Sequence, residues 1–237
     1  MSSTAENSLS VFLPFYNEED IIDTVIEDTY KFLDSLDHEF ELIIVNDGST
    51  DSTESLANHL AENYAKVRAL HHDTNKGYGR ALATGFEESQ NNLVFYTDGD
   101  GQFDITELEK LLDHIDSYDL VIGYREDRKD GLPRIVVSKV FNILARRLLP
   151  IDVLDIDCAF KLGHKDILKD IEIETDRTAD AELLAKAAVQ DANIKQVPVK
   201  HFERDEGESE AEGLIGVRFN LIVKTLEELI SIRRSLK

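Results

Sequence analysis

Two kinds of apolar pattern alternate along the first half of the chain. Short runs rich in β-branched and aromatic residues predict strands, and longer stretches with apolar positions every three or four residues predict amphipathic helices. The predicted strands are residues 9–14, 40–46, 67–71, 92–97 and 120–123, and the helices between them are residues 18–36, 51–64, 79–89 and 106–115. This alternation indicates an α/β fold with a mostly parallel sheet and helices on both faces.

The strict alternation stops after residue 124. A charged loop is followed by three further helices and two further strands, and an acidic loop without periodicity precedes the last helix. The loops are residues 125–131 and 202–213. The predicted helices are residues 134–149, 178–190 and 214–234, and the predicted strands are residues 158–162 and 194–199. We therefore expect one domain over residues 1–213 and a C-terminal amphipathic helix within residues 214–237.

The C-terminal segment is the most apolar part of the chain, and five of its seven charged residues are basic. Such a helix either lies on an anionic membrane surface or packs on the sheet as a core helix, and the sequence leaves both open. The chain has no run of about twenty apolar residues, so any membrane contact is expected to be peripheral or through a partner.

The charge balance narrows the range of functions. The chain has 237 residues, 48 acidic and 26 basic, and its net charge of −22 argues against a nucleic-acid binder. The acids are spread along the chain rather than gathered in a tail, so we expect a halophilic protein whose carboxylates are screened by salt. The one cysteine, Cys158, excludes an internal disulfide and is expected in the core. The polar N-terminus predicts no secretory leader and hence a cytoplasmic protein.

Two carboxylates one residue apart follow the fourth predicted strand. Asp98 and Asp100 come directly after residues 92–97, and Gln102 follows them. Ligands of open α/β sheets bind at the carboxyl ends of the strands. Adjacent acids repel each other unless a cation lies between them, and Mg²⁺ accepts a few carboxylates and completes its shell with phosphate and water. This sequence therefore predicts a metal site that holds a diphosphate.

Three other loops are expected at the same edge of the sheet: residues 14–18, 46–51 and 75–79. In the second loop Asp47 is a candidate acceptor for a nucleobase or ribose, and in the third the glycines allow the backbone to approach a ligand. Each loop alone also fits an ordinary turn. Their occurrence together, in this order and before an Asp-x-Asp sequence, favours a nucleotide-binding site.

In this arrangement the chain resembles the GT-A glycosyltransferases of family 2, which have a Rossmann-like fold. The motifs are Pro-x-Tyr-Asn-Glu at residues 14–18, Asn-Asp-Gly-Ser-x-Asp at 46–51, Asn-Lys-Gly-x-Gly at 75–79 and Asp-Gly-Asp-Gly-Gln at 98–102. More narrowly, the chain resembles the dolichol-phosphate (polyprenyl-phosphate) hexose synthases. This similarity rests on Gly-Tyr-Arg at 123–125, Arg-x-x-Gly-x-Ser at 204–209, and Arg134, Ser138 and Asn142 between them. The resemblance covers about residues 9–210.

The resemblance implies a role for each matching position. It assigns the nucleobase and ribose to Pro14, Tyr16, Glu18 and Asp47, and further substrate contacts to Lys76, Gly77, Asp98, Gly99 and Ser209. It assigns the binding of Mg²⁺ or Mn²⁺ to Asp98, Asp100 and Gln102. It assigns catalysis to Asp100, Arg125, Arg134 and Arg204, and the three arginines match positions near the donor diphosphate and the acceptor phosphate. The implied partners are a UDP- or GDP-hexose and dolichyl or another polyprenyl phosphate at the cytoplasmic face of the membrane.

The sequence departs from this family pattern in two places. Cys-Ala-Phe-Lys at residues 158–161 stands where the family usually has Ser-Gly-Phe-Arg, which keeps a positive charge at Lys161 but alters the turn. Glu210 stands where a lysine often follows the serine of the second arginine loop, which removes one candidate phosphate ligand.

Other functions remain open at this point. The acceptor is either a lipid phosphate, which is already anionic and needs no strong base, or a hydroxyl of a lipid-linked oligosaccharide or polysaccharide, which needs one. Asp155, Asp157 and Asp180 are candidate bases, although we expect Asp155 and Asp157 to be solvated surface acids. A catalytically inactive sugar-nucleotide-binding protein is a further alternative, but the intact Asp98, Asp100 and Gln102 argue against it. A nucleotidyltransferase would usually have a Gly-rich, basic loop after the first strand, where this chain has residues 14–18. The neighbouring His71 and His72 are expected to form a surface pair rather than a metal site.

Overall fold

The computed structural model of the chain describes residues 8–126, 132–202 and 215–236, with side chains for all of these except residues 132–136 and 215–222. Seven strands of the described part form one sheet in the order β3-β2-β1-β4-β6-β5-β7. They are β1 Ser8–Phe15, β2 Glu39–Asn46, β3 Val67–His71, β4 Leu93–Thr97, β5 Leu120–Arg125, β6 Phe160–His164 and β7 Ile194–Val199.

Helices cover both faces of this sheet. They are α1 Ile22–Ser35, α2 Thr53–Asn63, α3 Tyr78–Glu88, α4 Leu108–Ile115 after a 3₁₀ turn at Ile105–Glu107, α5 Leu132–Leu148, α6 Lys165–Leu168, α7 Ala179–Val189 and α8 Ile215–Ser235. Successive residues of β1 face opposite sides, so that Val11 and Leu13 join the core under α1, α2 and α4, whereas Phe12 joins the core under α3 and α7. The predicted α/β class and mostly parallel sheet are confirmed.

One strand of the sheet runs against the others. β6 pairs antiparallel with both β4 and β5, while the pairs β1–β2, β1–β4, β2–β3 and β5–β7 are parallel. In this register Phe160 lies opposite Thr97 and Lys161 lies opposite Tyr96. The chain therefore returns through the middle of the sheet and brings residues 158–161 to the end of β4, where the predicted site lies.

The described part of α8 packs on the core by one face. Leu229 and Ile232 are buried, and Glu228 Oε2 accepts hydrogen bonds from Thr178 N at 3.1 Å and Thr178 Oγ1 at 2.9 Å. Val223 and Ile230 remain exposed on the other face. Among the helices of the described residues, none is both long and apolar enough to cross a bilayer.

Candidate active site

The two aspartates of the Asp-Gly-Asp sequence lie where β4 ends. Asp98 follows Thr97 directly, and Gly99 N donates to Pro14 O at 3.3 Å, which holds the turn against the end of β1. A Cβ at Gly99 would lie 2.5 Å from the Phe15 ring, so a side chain cannot be accommodated there. Asp100 Oδ1 accepts a hydrogen bond from Gln102 N at 3.1 Å. The turn thus places two carboxylates at the carboxyl edge of the sheet.

Asp98 lies in an unfavourable electrostatic environment. Its Oδ1 atom is buried and has no hydrogen-bond partner among the described residues. Burial, followed by the charges of Asp100 and Asp180, raises its pKa to about 8. The nearby Tyr78 hydroxyl offsets part of this rise, although its geometry is too poor for a full hydrogen bond. A carboxylate in such surroundings is destabilising unless a proton or a cation neutralises it.

Asp98 and Asp100 fit a divalent metal ion. A buried carboxylate oxygen without a partner, beside a second carboxylate, is suited to a hard cation. The described residues contain no group of three or more His, Cys, Asp or Glu placed to enclose a metal. A Mg²⁺-type ion held by two carboxylates would take its other ligands from phosphate and water. Gln102 Nε2 donates to Phe202 O at 3.1 Å, so a metal contact of this residue would fall to its Oε1 atom. The metal role of all three residues stays a prediction.

A cleft of about 700 Å³ opens beside this turn. Asp98 and Asp100 line it together with residues of α1, the 3₁₀ turn and Phe202. Its volume lies in the range of small-molecule sites. Asp47 and Lys76 do not line it, so the structure does not bring all the predicted substrate residues into one cavity.

The loops after β1 and β2 lie side by side, as the parallel strands require. Asn17, which has a left-handed φ of 54°, donates its backbone N to Ser49 Oγ at 2.9 Å and accepts from Thr50 N at 2.8 Å. Glu18 N donates to Thr53 Oγ1 at 2.9 Å. The structure therefore joins the predicted loops 14–18 and 46–51, while the substrate roles of Pro14, Tyr16 and Glu18 stay predictions.

Asp47 is buried and its carboxylate is used within the protein. Oδ1 bonds His72 Nδ1 at 2.6 Å and accepts from Lys76 N at 2.9 Å, and Oδ2 accepts from Gly77 N at 2.9 Å. His72 is 8% exposed, and its Nε2 bonds Thr84 Oγ1 at 2.9 Å. The expectation of a surface histidine pair is therefore wrong for His72, because the end of β3 places it next to Asp47. Asp47 acts here as the anchor of the loop 75–79.

The glycines of that loop are required by the protein itself. Gly77 has a φ of 91°, and a Cβ there would lie 2.4 Å from Asp176 Oδ1. A Cβ at Gly79 would lie 1.8 Å from the Thr175 carbonyl oxygen. The sequence predicts that the backbone at these glycines approaches a ligand. In this structure it approaches the segment before α7 instead.

Arg125 is the last residue of β5 rather than part of a loop, and Asp155 holds its side chain. Arg125 Nε donates to Asp155 Oδ2 at 2.7 Å and Nη2 donates to Asp155 Oδ1 at 2.8 Å, in a bidentate pair with both side chains largely buried. Asp155 is 7% exposed, so the expectation of a solvated acid is wrong for this residue. Burial, with the charges of Asp180 and Asp155, also raises the pKa of Asp157 to about 7.

Lys161 and Asp180 form a second buried ion pair directly behind Asp98. The Lys161 side chain is fully buried, bonds Asp180 Oδ1 and donates to Cys158 O at 2.6 Å. Tyr96 Oη donates to the same Asp180 oxygen at 2.6 Å. Asp180 is thus already bound by a cation and a hydroxyl. Cys158 is buried as predicted, and burial raises the pKa of its thiol well above the usual value.

Residues 10–172 match the model of the family described as Glycosyl transferase family 2. The chain belongs to this family. The match covers more than half of the chain and confirms the resemblance inferred from the motifs.

Curated relatives match most of this chain but extend well beyond it. Undecaprenyl-phosphate 4-deoxy-4-formamido-L-arabinose transferase of Edwardsiella ictaluri is 28% identical over 218 residues, which are 90% of this chain and 66% of the relative. Dodecaprenyl-phosphate galacturonate synthase of Rhizobium johnstonii is 27% identical over 85% of this chain and 61% of the relative. Glycosyltransferase AglD of Haloferax volcanii is 31% identical over 84% of this chain and 34% of the relative. The chain spans about two thirds or less of the length of these relatives.

Solved structures support the GT-A fold. Glucosyl-3-phosphoglycerate synthase from Mycobacterium tuberculosis, in complex with Mn²⁺, UDP-glucose and phosphoglyceric acid, superposes with a TM-score of 0.70 at 20% identity. The superposition covers 96% of this chain and 81% of that one. At this identity the likeness is one of fold.

Within this family 2 chain the structure shows two contacts that the sequence did not indicate, that of His72 with Asp47 and the ion pair of Lys161 with Asp180. His72 could have been found from its place one residue after β3, since neighbouring parallel strands end together. Lys161 could not, because its position depends on the antiparallel β6. Of the predicted arginines, Arg134 lies in the first turn of α5 but its side chain is outside the described part, and Arg204 and Ser209 lie outside the described residues altogether.

Proposed function

We propose that this chain is an inverting, metal-dependent glycosyltransferase that moves a hexose from a UDP- or GDP-sugar to dolichyl or another polyprenyl phosphate. The observation that carries the proposal is the pair Asp98 and Asp100 at the end of β4, with a buried carboxylate oxygen that has no partner among the described residues. Membership of family 2 supports transfer from a nucleotide sugar.

The carboxylate pair suits the chemistry of the donor. When a nucleotide diphosphate leaves the sugar, negative charge develops on the leaving oxygen, and Mg²⁺ or Mn²⁺ held by Asp98 and Asp100 would stabilise it. The cleft next to these residues is large enough for a small-molecule substrate. The raised pKa of Asp98 further favours a role in cation binding, because a bound cation would offset the effects of burial and of the neighbouring acids that cause the rise.

The state of Asp180 supports a phosphate acceptor. Of the three candidate bases, Asp180 bonds both Lys161 and Tyr96 and Asp155 holds Arg125, whereas Asp157, whose pKa is raised to about 7, is the one left for a hydroxyl acceptor. A carboxylate in such a pair is a poor proton acceptor, since protonation would leave its cation buried and unpaired. A lipid phosphate is an anion at neutral pH and needs no such base. The names of the undecaprenyl- and dodecaprenyl-phosphate relatives point to the same acceptor class.

Location and environment belong to the same proposal. A polyprenyl phosphate acceptor lies in a membrane, so we place the enzyme at the cytoplasmic face, in peripheral contact with the lipid or with a membrane partner. The chain has 48 acidic and 26 basic residues, and this excess of acids supports a halophilic protein.

The test is transfer from a panel of UDP- and GDP-hexoses to a short polyprenyl phosphate, with Mg²⁺ or Mn²⁺. We expect one donor to be used and Asp100→Ala to abolish turnover while the fold is retained. Asp113→Asn is the matched control, because Asp113 is an exposed carboxylate on α4 that does not line the cleft. It should keep most of the activity.

Three outcomes would contradict the proposal. Transfer to a lipid-linked sugar but never to the bare lipid phosphate would favour an enzyme that extends a lipid-linked glycan. Donor binding without transfer to any acceptor would favour a sugar-nucleotide-binding protein. Full activity of Asp100→Ala in chelator-treated buffer would remove the metal role.

A further inference from the structure

The helix α5 differs in charge from the rest of this acidic chain. Its 17 residues, Leu132–Leu148, include four basic residues and no acidic one. The whole chain, by contrast, has nearly two acidic residues for each basic one. Among these bases Lys139 and Arg147 have exposed side chains. A helix surface of this kind attracts anions, and the surrounding acidic surface does not.

The helix α5 has apolar side chains on its outward face as well as on its inward face, where Ala145 is buried in the core. Its inward face includes the buried polar residues Ser138 and Asn142, and Asn142 Oδ1 accepts from Ile156 N at 2.9 Å. Its outward face carries Val137, Val140 and Ile143, which are 61%, 51% and 50% exposed. A helix normally buries such side chains and exposes the polar ones. Apolar exposure of this kind, at helical spacing, is typical of a surface that meets another apolar phase.

The neighbouring segments extend this surface. Arg146 Nη1 donates to Val153 O at 3.3 Å, which brings the exposed Leu154 next to the C-terminal half of α5. The helix α8 packs against α5, and its exposed residues include Val223, Lys224, Ile230 and one acid, Glu227. Apolar and basic side chains are thus combined over two adjacent helices.

We propose that the outward face of α5, extended by Leu154 and α8, is the surface with which the protein docks on an anionic lipid bilayer. Exposed aliphatic side chains would enter the boundary between head groups and acyl chains, and the basic side chains would meet anionic head groups. The charge argues for this partner over an acid-rich second copy of the chain. The inference deepens the proposed function, since a bilayer that carries the acceptor would lie against α5, whose Asn142 also holds the segment before Asp157.

The surface is tested by flotation with phosphatidylcholine vesicles that contain or lack phosphatidylglycerol, in a salt concentration at which the protein is folded. The test variant is Val140→Asp with Ile143→Asp. The matched control is Val189→Asp, since Val189 is also 51% exposed but lies at the end of α7. We expect the wild type and the control to float with the anionic vesicles, and the test variant to partition onto them about tenfold less.

Flotation of the test variant equal to that of the wild type would overturn the proposal, as would a wild type that binds no vesicles. A wild-type dimer that the test variant dissociates, without vesicle binding, would make the face a protein interface instead and would also overturn it. Transfer to a short, water-soluble polyprenyl phosphate is measured in parallel. Transfer without flotation leaves the proposed function intact and refutes the docking surface. Flotation without transfer supports the docking surface and contradicts the proposed function.

Discussion

Replacing Asp98 by asparagine is expected to stabilise the metal-free protein. The pKa of Asp98 is raised from its ordinary value of 3.8 to about 8 by burial and by the charges of Asp100 and Asp180. Between these two pH values the folded chain binds a proton that the unfolded chain has lost, so the free energy of unfolding falls as the pH rises. At pH 7 the difference spans about three pKa units, or roughly 4 kcal/mol.

Asparagine removes this penalty but not the whole cost of the site. Its side chain is neutral at every pH, yet one polar atom of the amide stays buried without a partner, which costs about 1–3 kcal/mol. We therefore expect Asp98→Asn to raise the free energy of unfolding at pH 7 by about 1–3 kcal/mol, or the melting temperature by roughly 2–4 °C for each kcal/mol. Denaturant and thermal unfolding in chelator-treated buffer at constant salt would measure it.

A second aspartate provides the matched control. Asp155 is also buried, but it is paired with Arg125, so Asp155→Asn leaves a buried guanidinium without its partner and is expected to lose about 3–5 kcal/mol. Between about pH 4 and pH 8 the decline in stability should be shallower for Asp98→Asn than for the wild type. A residual slope from Asp157, whose pKa is about 7, should remain. Added Mn²⁺ should stabilise the wild type and not Asp98→Asn. The reasoning fails if Asp98→Asn is less stable than the wild type without metal, or declines as steeply with pH.

Three further predictions concern the rest of the molecule. Lys161→Met should destabilise the fold by about 3–5 kcal/mol, because Asp180 loses its buried partner, and adding Asp180→Asn should restore most of that loss; equal stability of the single and double variants would contradict it. His72→Ala should raise the KM for the donor more than it lowers kcat, because Asp47 then holds the loop 75–79 less firmly, and unchanged donor kinetics would argue against this. Thermal melts in a KCl series should show stability rising towards molar salt, and a flat series would leave the net charge of −22 unexplained.

The sequence was sufficient for the parts of the fold that depend on local pattern. The alternation of strands and helices up to β5, and the placing of four loops at one edge, follow from periodicity and from the rule that parallel strands end together. The Asp-x-Asp turn was correctly placed at the end of β4. These features need no knowledge of which distant residues meet.

The rest depends on distant pairings that one sequence does not reveal. Asp180 meets Tyr96 across 84 positions, and Arg125 meets Asp155 across 30. The high acid content also misled the interpretation of Asp155, since an acidic composition predicts solvated carboxylates in general. It does not identify the acid that a buried arginine holds.

The antiparallel strand β6 links the register of the sheet to the choice of acceptor. Lys161 lies opposite Tyr96 in this register, and both side chains reach Asp180 from neighbouring strands. A shift of β6 by one residue would turn Lys161 to the other face of the sheet, because successive side chains point to opposite sides. Asp180 would then lose its cation and become available as a proton acceptor for a hydroxyl. The proposed preference for a phosphate acceptor therefore depends on a strand pairing as well as on the residues at the cleft, and members of family 2 that place no cation at this position of β6 are expected to use acceptors that need a base.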